Sequence, residues 1–306
     1  MSKEKVIVIC GPTASGKTSL SIELAKKLQG EIISADSMQI YLGMDIGTAK
    51  PTIEEKQGIQ HYLIDCVLPD QRFSVADYKK KAKIAIKEVI QKGKIPIVVG
   101  GTGLYIDSLI YEIEYPDITF DKKYREYLEK RAEAEGLDRL YEEAKKIDNE
   151  AVQKISVNDQ KRILRILEIY NATGKTKTQL EIESRKKELE YDYYVYALNW
   201  DREILYERIN KRVDLMIEQG LIEEVQMILK KYKKFPTAMQ GLGYKEVVDY
   251  LNGKYTKYEM IDKIKMETRR YAKRQLTWFR KNKQTKWLEG KAKIDDNIHQ
   301  ILEDIN

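Results

Sequence analysis

The stretch that decides the fold is Gly11-Pro12-Thr13-Ala14-Ser15-Gly16-Lys17-Thr18. An apolar run at residues 6–10 precedes it, and amphipathic helix signals follow over residues 19–28. This spacing between strand and helix is typical of a phosphate-binding loop, in which glycines let backbone N–H groups turn inward and the helix N-terminus adds positive potential. Lys17 can supply a mobile charge, and the Thr18 hydroxyl can ligate a Mg²⁺ that bridges phosphate oxygens.

Length and composition indicate a globular protein of one large α/β domain with an insertion, or of two domains. The chain has 306 residues, of which 42% are hydrophobic and 34% charged, with a net charge of +6. Only two cysteines, Cys10 and Cys66, are present, and no apolar run approaches ~18 residues. We therefore expect a cytoplasmic protein without disulfides or a leader, and the two histidines argue against a histidine-based metal site.

Apolar runs alternate with helical patterns in the first third of the chain. Runs at residues 31–35 and 95–99 read as strands, residues 74–92 as a helix capped by Ser74, and residues 43–51 as a loop. Continuous apolar strands of this kind indicate a parallel sheet covered on both faces, with ligands at the carboxyl ends of the strands. The phosphate loop, Asp36 and Thr102 should therefore converge on one rim.

The pattern changes twice along the rest of the chain. Residues 116–190 are charged, helical and strand-poor, and the strand pattern returns at residues 191–198. A helix capped by Asp201 follows, with a break at Gly220, and then a strongly basic helix over residues 258–282. The sequence thus predicts an α/β fold, a P-loop parallel sheet flanked by helices with an all-helical insertion domain. The predicted parts are residues 1–115 and 191–306 for the catalytic core and 116–190 for the insertion.

Asn171-Ala172-Thr173-Gly174-Lys175-Thr176 also ends in Gly-Lys-Thr. It has no upstream glycine at the required distance and no preceding buried strand. We interpret it as a polar helix–helix connection.

Three residues are candidates for chemistry, each with a plainer alternative. Asp36 follows an apolar strand and could be a Mg²⁺ ligand, a general base or the cap of the next turn. Thr102 lies in a glycine-flanked turn, which allows close approach to a ligand but also suits an ordinary strand-to-helix turn. Arg212 could neutralise a leaving group or form a surface salt bridge to Asp214 or Glu207.

Two segments present basic faces. In the basic helix Arg270 and Arg274 align one turn apart, beside a row of Tyr271, Gln275 and Trp278. A basic row without balancing acids suits a polyanion backbone, although a solvated charged face is the competing interpretation. In the insertion, Lys161, Arg162 and Arg165 form a second basic face beside an apolar stripe.

Several segments together resemble the tRNA dimethylallyltransferases (tRNA isopentenyltransferases). Besides residues 11–18 they are DSMQIY at 36–41, GMDIGTAKP at 43–51, HYLID at 61–65, GGTGLY at 100–105, RVDLMIEQG at 212–220, GLGYKE at 241–246 and YAKRQLTWFR at 271–280. They occur in order across residues 6–287. Leu42 stands where the family often has a basic residue, which could weaken one tRNA contact, and Leu242 replaces a smaller aliphatic residue.

The resemblance implies transfer of a dimethylallyl group from dimethylallyl diphosphate to the exocyclic amine of the adenine 3′ to the anticodon, in tRNAs that read codons beginning with U. The phosphate loop would hold the diphosphate, and Lys17, a Mg²⁺ at Thr18 and Arg212 would absorb its charge. Asp36 would take the amine proton and Thr102 would orient the reacting groups. The adenine would be flipped out of the anticodon loop.

The resemblance also implies a tRNA-binding surface and a monomeric protein. The residues expected to contact tRNA are Asp36, Ser37, Met38, Gln39, Gln160, Lys161, Arg162, Ile163, Leu164, Arg270, Lys273 and Arg274.

Other functions share part of this pattern. A small-molecule P-loop kinase would use the loop, with Asp36 as base, and an adenylate isopentenyltransferase would prenylate free AMP or ADP. Neither needs the helical insertion or the basic aromatic helix. An RNA-binding module with a vestigial nucleotide site would leave Asp36, Thr102 and Arg212 unexplained.

Overall fold

The computed structural model describes residues 3–113, 115, 121–185 and 188–305. The predicted start of the insertion, residue 116, lies outside the described residues. No described helix is long and apolar enough to cross a membrane.

A parallel sheet of six strands, in the order β3-β2-β4-β1-β5-β6, forms the centre of the core. In the central strand Ile7 lies opposite Ile97 on one side and Tyr194 on the other. The predicted α/β class and parallel sheet are confirmed. The strands are β1 Lys5–Cys10, β2 Glu31–Ser34, β3 His61–Tyr62, β4 Pro96–Gly100, β5 Asp192–Asn199 and β6 Lys286–Glu289.

Strands β3 and β6 are the two that the sequence did not predict. They span only His61–Tyr62 and Lys286–Glu289, too short to give a hydrophobic period, and they pair at the two edges of the sheet.

Helices account for most of the remaining chain. They are α1 Lys17–Leu28, α2 Ile53–Lys56, α3 Val75–Gln91, α4 Gly103–Ile110, α5 Lys122–Glu135, α6 Leu137–Ile147, α7 Asn149–Val152, α8 Gln160–Thr173, α9 Lys177–Arg185, α10 Arg202–Glu218, α11 Leu221–Lys231, α12 Tyr244–Leu251, α13 Lys257–Phe279 and α14 Ile294–Ile305, with a 3₁₀ turn at Ala238–Gln240.

The predicted helix ends are confirmed at all three positions. Ser74 caps α3 in a reciprocal pair with Asp77, and Gly220 separates α10 from α11 at a φ of 97°. Asp201 stands at the N-cap of α10, but its side chain makes no capping hydrogen bond. The predicted helix start at Asp201 is confirmed, and its carboxylate pairs with Lys291.

The chain divides into two compact units, Met1–Asp107 with Glu190–Asn306, and Ser108–Leu189. In the first unit one core cluster, including Ile7, Leu24 and Ile301, packs the sheet against α1 and α14. A second cluster, including Tyr41 and Tyr244, joins the chain after β2 to helices α10 to α13.

The second unit is helical and has its own core. Leu140 of α6 packs there with Leu167 of α8, both almost fully buried. The buried Asp148 carboxylate accepts hydrogen bonds from the amides of Ala151 and Thr178 at 3.0 and 2.9 Å. Gly174 follows α8 at a φ of 67°, and the predicted helix–helix connection is confirmed for residues 174–176 only, because residues 171–173 still belong to α8.

Candidate active site

The phosphate-binding loop turns sharply between β1 and α1. Gly11, Ala14 and Gly16 have φ values of 136°, 61° and 93°, in the region that favours glycine. The Lys17 ammonium folds over the loop and donates to the Pro12 carbonyl oxygen at 2.6 Å. The turn conformation and the lysine therefore agree with the loop pattern in the sequence.

Two side chains from the second half of the first unit brace this loop. The Trp200 indole donates to the Ser15 carbonyl at 2.9 Å, and Arg208 Nε donates to the Ala14 carbonyl at 2.8 Å. The Arg208 guanidinium also lies 4.3 Å from the Trp200 ring. The sequence analysis missed both residues, since nothing in their local pattern indicates a partner so far away along the chain.

Cations gather at the open side of the loop. Lys17, Arg208, Lys211 and Arg212 line a depression of about 360 Å³ together with the loop backbone and Thr18. Burial lowers the pKa of Lys17 to about 8, with a further lowering by the Arg212 charge that the Asp36 carboxylate opposes. Such a concentration of positive charge favours a multiply charged anion.

Arg212 takes part in no ion pair with a described residue. Asp214, one of the alternative partners considered above, pairs with Lys265 at 2.6 Å. The Arg212 Nε is buried without a hydrogen-bond partner in the described structure. Burial lowers the pKa of Arg212, and nearby Asp36 and Glu55 counter this effect. A guanidinium in this position retains donor capacity for a ligand.

The ends of β2 and β4 are tied together at Thr102. The Ser37 amide donates to the Thr102 hydroxyl oxygen at 3.0 Å, and the Thr102 amide donates to the Ala35 carbonyl at 3.2 Å. Asp36 Oδ1 accepts from the amides of Met38 and Gln39 at 2.8 and 3.3 Å, so the turn-capping interpretation holds for that oxygen. The loop, Asp36 and Thr102 do meet at one rim, as predicted.

A cavity of about 350 Å³ opens at this rim. Its polar lining includes Asp36, Arg212, Tyr271 and Arg274, and α10 contributes the largest share of its apolar lining. Burial and the Asp36 charge raise the pKa of Tyr271 to about 12, which keeps its hydroxyl protonated. The remaining lining residues are Thr13, Ser37, Met38, Gly47, Thr48, Ile209, Val213, Met216, Gln240, Gly241, Leu242, Gly243, Tyr244, Ile264 and Thr268.

The loop at residues 45–47 is held in place by a buried carboxylate. Glu224 accepts from the amides of Asp45, Ile46 and Gly47 at 2.9, 2.7 and 3.2 Å. A Cβ on Gly47 would lie 2.5 Å from the Tyr244 ring, so this position requires glycine. The sequence analysis read Gly47 as loop punctuation and missed Glu224 altogether.

The basic face of α13 is partly balanced, contrary to the sequence analysis. Arg270 pairs with Glu267, one turn earlier on the helix, at 2.6 Å. Lys273 is exposed, and the Arg274 guanidinium lies 5.7 Å from the Tyr271 ring beside the cavity.

Two of the five insertion residues expected to contact tRNA have buried side chains. Ile163 and Leu164 are 0% exposed, because they form part of the second unit's core. The prediction that these two side chains contact tRNA was wrong, because a side chain packed in that core cannot reach RNA. Gln160 begins α8, and Lys161 and Arg162 are exposed.

The described residues contain no group of three His, Cys, Asp or Glu side chains that could hold a metal ion. A Mg²⁺ would therefore depend mainly on phosphate oxygens and water, which is its usual mode of binding. Thr18 is exposed at the start of α1, beside the cations of the loop. Its hydroxyl is a hard oxygen donor and so fits such an ion.

The chain is similar in sequence to proteins of one family. Residues 39–282 match a family model described as IPP transferase. The tRNA dimethylallyltransferase of Acetivibrio thermocellus is 52% identical over 305 residues, covering 98% of this chain and 97% of that protein. The enzyme of the same name from Caldanaerobacter subterraneus is 51% identical over 306 residues, covering 97% of each chain.

Solved structures agree in fold over nearly the whole chain. The crystal structure of the full-length tRNA isopentenylpyrophosphate transferase from Bacillus halodurans has a TM-score of 0.74 and 43% identity, covering 99% of this chain and 96% of the other. A eukaryotic dimethylallyltransferase acting on tRNA has a TM-score of 0.81 and 32% identity, covering 98% and 77%.

A parallel sheet with this loop, and with Arg212, Arg274 and Asp36 around one cavity, is the architecture of a P-loop protein that binds a phosphorylated ligand. With the family model and these relatives covering almost all of it, the chain belongs to the tRNA dimethylallyltransferase family.

Proposed function

We propose that this chain transfers the dimethylallyl group of dimethylallyl diphosphate to the exocyclic amine of the adenine 3′ to the anticodon, in tRNAs reading codons that begin with U. One observation carries the proposal. Arg212, one of the cations around the phosphate loop, also lines the partly apolar cavity that the Asp36 carboxylate borders. A diphosphate leaving group, a short apolar chain and a proton acceptor are what this reaction requires.

The leaving group departs toward the phosphate loop. The allylic C–O bond breaks, and its electron pair goes to the diphosphate oxygen. Lys17 and Arg212 stabilise the charge that develops there, supported by backbone N–H groups of residues 14–18. When bound, Mg²⁺ supplies further neutralisation of the phosphate oxygens, and Thr18 is the protein residue that would hold it.

Asp36 accepts the proton that the nucleophile must lose. The adenine amine is a weak nucleophile because its lone pair is delocalised into the ring. As the new C–N bond forms, the amine proton passes to the Asp36 carboxylate. Oδ1 accepts two backbone hydrogen bonds in this structure, and the carboxylate also borders the cavity. Thr102, bonded to Ser37, orients the groups on this side.

The RNA contacts divide into two kinds. Residues 36–39 would meet the flipped adenine at the cavity, since a base stacked in the anticodon loop cannot reach a phosphate site. Lys273, Arg274 and the exposed end of α8 at Gln160, Lys161 and Arg162 would hold phosphates and loop bases. We further propose that the helical unit serves tRNA binding and that the protein acts as a monomer.

Incubation with radiolabelled dimethylallyl diphosphate and unmodified tRNA tests the proposal. Label should enter RNA and be recovered as isopentenyladenosine after digestion. Parallel reactions with γ-labelled ATP and with AMP as acceptor should remain blank. Transfer of phosphate from ATP would indicate a kinase, and prenylation of free AMP would indicate an adenylate isopentenyltransferase.

A further inference from the structure

Helix α13 presents one row of side chains to the turn at residues 100–103. Tyr271, Gln275 and Trp278 follow one another at spacings of four and three, so they share a helix face. Tyr271 borders the cavity, and the Trp278 indole donates to Asp107 Oδ2 at 2.9 Å. Between them lies Gln275, which is only 5% exposed although it is polar.

The Gln275 amide joins two loops that are far apart in sequence. Its Oε1 accepts a hydrogen bond from the Thr13 amide at 2.9 Å, and its Nε2 donates to the Gly101 carbonyl at 2.9 Å. Since the Thr13 N–H can only donate and the Gly101 oxygen can only accept, the orientation of the side-chain amide is fixed. Both ends of this buried group are therefore satisfied.

The absence of a side chain at Gly101 makes room for Gln275. A Cβ there would lie 2.3 Å from Gln275 Nε2, and a Cβ on Gly103 would lie 2.3 Å from the Trp278 ring. The glycines around Thr102 therefore let α13 come close to the turn.

Gln275 is also linked to Asp36, the proposed base, through Thr102 and Ser37. Gly101 precedes Thr102, whose hydroxyl accepts from the Ser37 amide at 3.0 Å, and Ser37 follows Asp36. At the other end Thr13 lies within the phosphate loop. Gln275 thus stands between the loop that would hold the leaving group and the turn that carries the proton acceptor.

We propose that Gln275 is a positioning residue that sets the separation between the phosphate loop and the Asp36–Thr102 side of the site. The inference rests on the proposed function and adds a residue that contacts neither substrate directly. In a displacement reaction the nucleophile, the transferred carbon and the leaving oxygen must line up, and a misplacement near 1 Å can cost on the order of 100-fold in rate. Substrate affinity depends less on that alignment than the rate does.

Two variants distinguish the hydrogen bond to Thr13 from the hydrogen bond to Gly101. Gln275→Met keeps the volume and removes both hydrogen bonds. Gln275→Glu keeps the acceptor for Thr13 and sets a carboxylate oxygen against the Gly101 carbonyl. Gln91→Glu, at the exposed end of α3, adds the same charge elsewhere and serves as control. Single-turnover rates are measured at saturating tRNA and dimethylallyl diphosphate, with separate titrations of tRNA and inorganic diphosphate.

We expect rates to fall about tenfold to 100-fold in both Gln275 variants, with tRNA affinity within about threefold of wild type. Charge repulsion in Gln275→Glu would weaken diphosphate binding, which the titration measures apart from the saturated rate. A wild-type rate in Gln275→Met overturns the proposal, because neither hydrogen bond is then needed. A wild-type rate in Gln275→Glu overturns it too, because the link to Gly101 is then not needed. If Gln275→Met loses affinity for tRNA and diphosphate by as large a factor as it loses rate, and its melting temperature also falls, the role of Gln275 is purely structural and the proposal is overturned. Inactive wild type would instead refute the proposed function.

Discussion

The Tyr244 hydroxyl donates a hydrogen bond of 2.5 Å to Glu224 Oε1, and both side chains are buried. Burial and the neighbouring carboxylate raise the pKa of Tyr244, so it remains a donor. The same carboxylate accepts from the amides of residues 45–47. This pair therefore fixes a loop of which Gly47 and Thr48 line the cavity.

Glu224→Gln should lower the free energy of unfolding by about 1–3 kcal/mol, because an amide nitrogen would face backbone donors and leave them unpaired. Urea denaturation measures the change. Glu223→Gln, at the exposed neighbouring position, should stay within about 0.5 kcal/mol of wild type. Similar losses in both variants would show that the buried contacts of Glu224 are not the cause.

Asp36 can be tested as base separately from its capping role. Asp36→Asn keeps an oxygen for the amides of Met38 and Gln39, whereas Asp36→Ala removes it. We expect both variants to lose on the order of 10²–10⁴ in turnover, and only the alanine variant to lose thermal stability. tRNA affinity should persist in Asp36→Asn. Turnover of Asp36→Asn within threefold of wild type would exclude the general-base role.

Arg212→Ala should reduce turnover with dimethylallyl diphosphate by roughly 10²–10³, as expected when one charge-stabilising donor is lost. RNA binding should persist. Arg139→Ala, at a position 71% exposed, is the matched control. If tRNA affinity falls while single-turnover chemistry is unchanged, Arg212 belongs to RNA binding instead.

Arg274→Ala should flatten the log–log salt dependence of tRNA binding by roughly one unit, somewhat less on single-stranded RNA. The loss should be similar for all substrate tRNAs, since phosphate contacts carry little sequence information. Arg270→Ala should change the slope less, because Glu267 already pairs with that guanidinium. Titrations of wild type, both variants and the exposed control Lys293→Ala supply the comparison. Parallel lines for Arg274→Ala and wild type would show that Arg274 meets no phosphate.

Substitutions at the exposed start of α8 should affect tRNA binding differently from Arg274→Ala. Gln160, Lys161 and Arg162 are proposed to meet the loop itself, so their substitution should alter the preference between tRNAs. An equal loss for every tRNA would assign them to phosphate contacts alone.

The stability of the protein should fall in acid partly through His61. Burial, and to a lesser extent the Lys56 charge, lowers the pKa of His61, although its hydrogen bond to the Ile59 carbonyl opposes this. The unfolded chain therefore binds a proton more readily than the folded chain as pH drops through about 6.5, and stability is lost there. His61→Gln should flatten the pH dependence of the unfolding free energy below about pH 6.5, and exposed His299→Gln is the control. An unchanged slope in His61→Gln would exclude this contribution.

How much the sequence alone determined depends on the range of the interactions involved. The phosphate loop, the continuous apolar strands and the caps at Ser74 and Gly220 depend on nearby residues, so their patterns identify them. The parallel sheet follows from those strands, and it brings Asp36 and Thr102 to the loop. The edge strands β3 and β6 were missed because their pairing partners, rather than their own few residues, make them strands.

Only the tertiary structure decided which side chains complete the site. Trp200, Arg208 and Gln275 reach the phosphate loop from positions more than 180 residues away in sequence. Glu224 likewise binds a loop about 180 residues earlier. Packing between elements likewise buries Ile163 and Leu164 and places Asp201 in an ion pair with Lys291. A local pattern contains no information about such partners, because their contacts arise only when distant elements pack together.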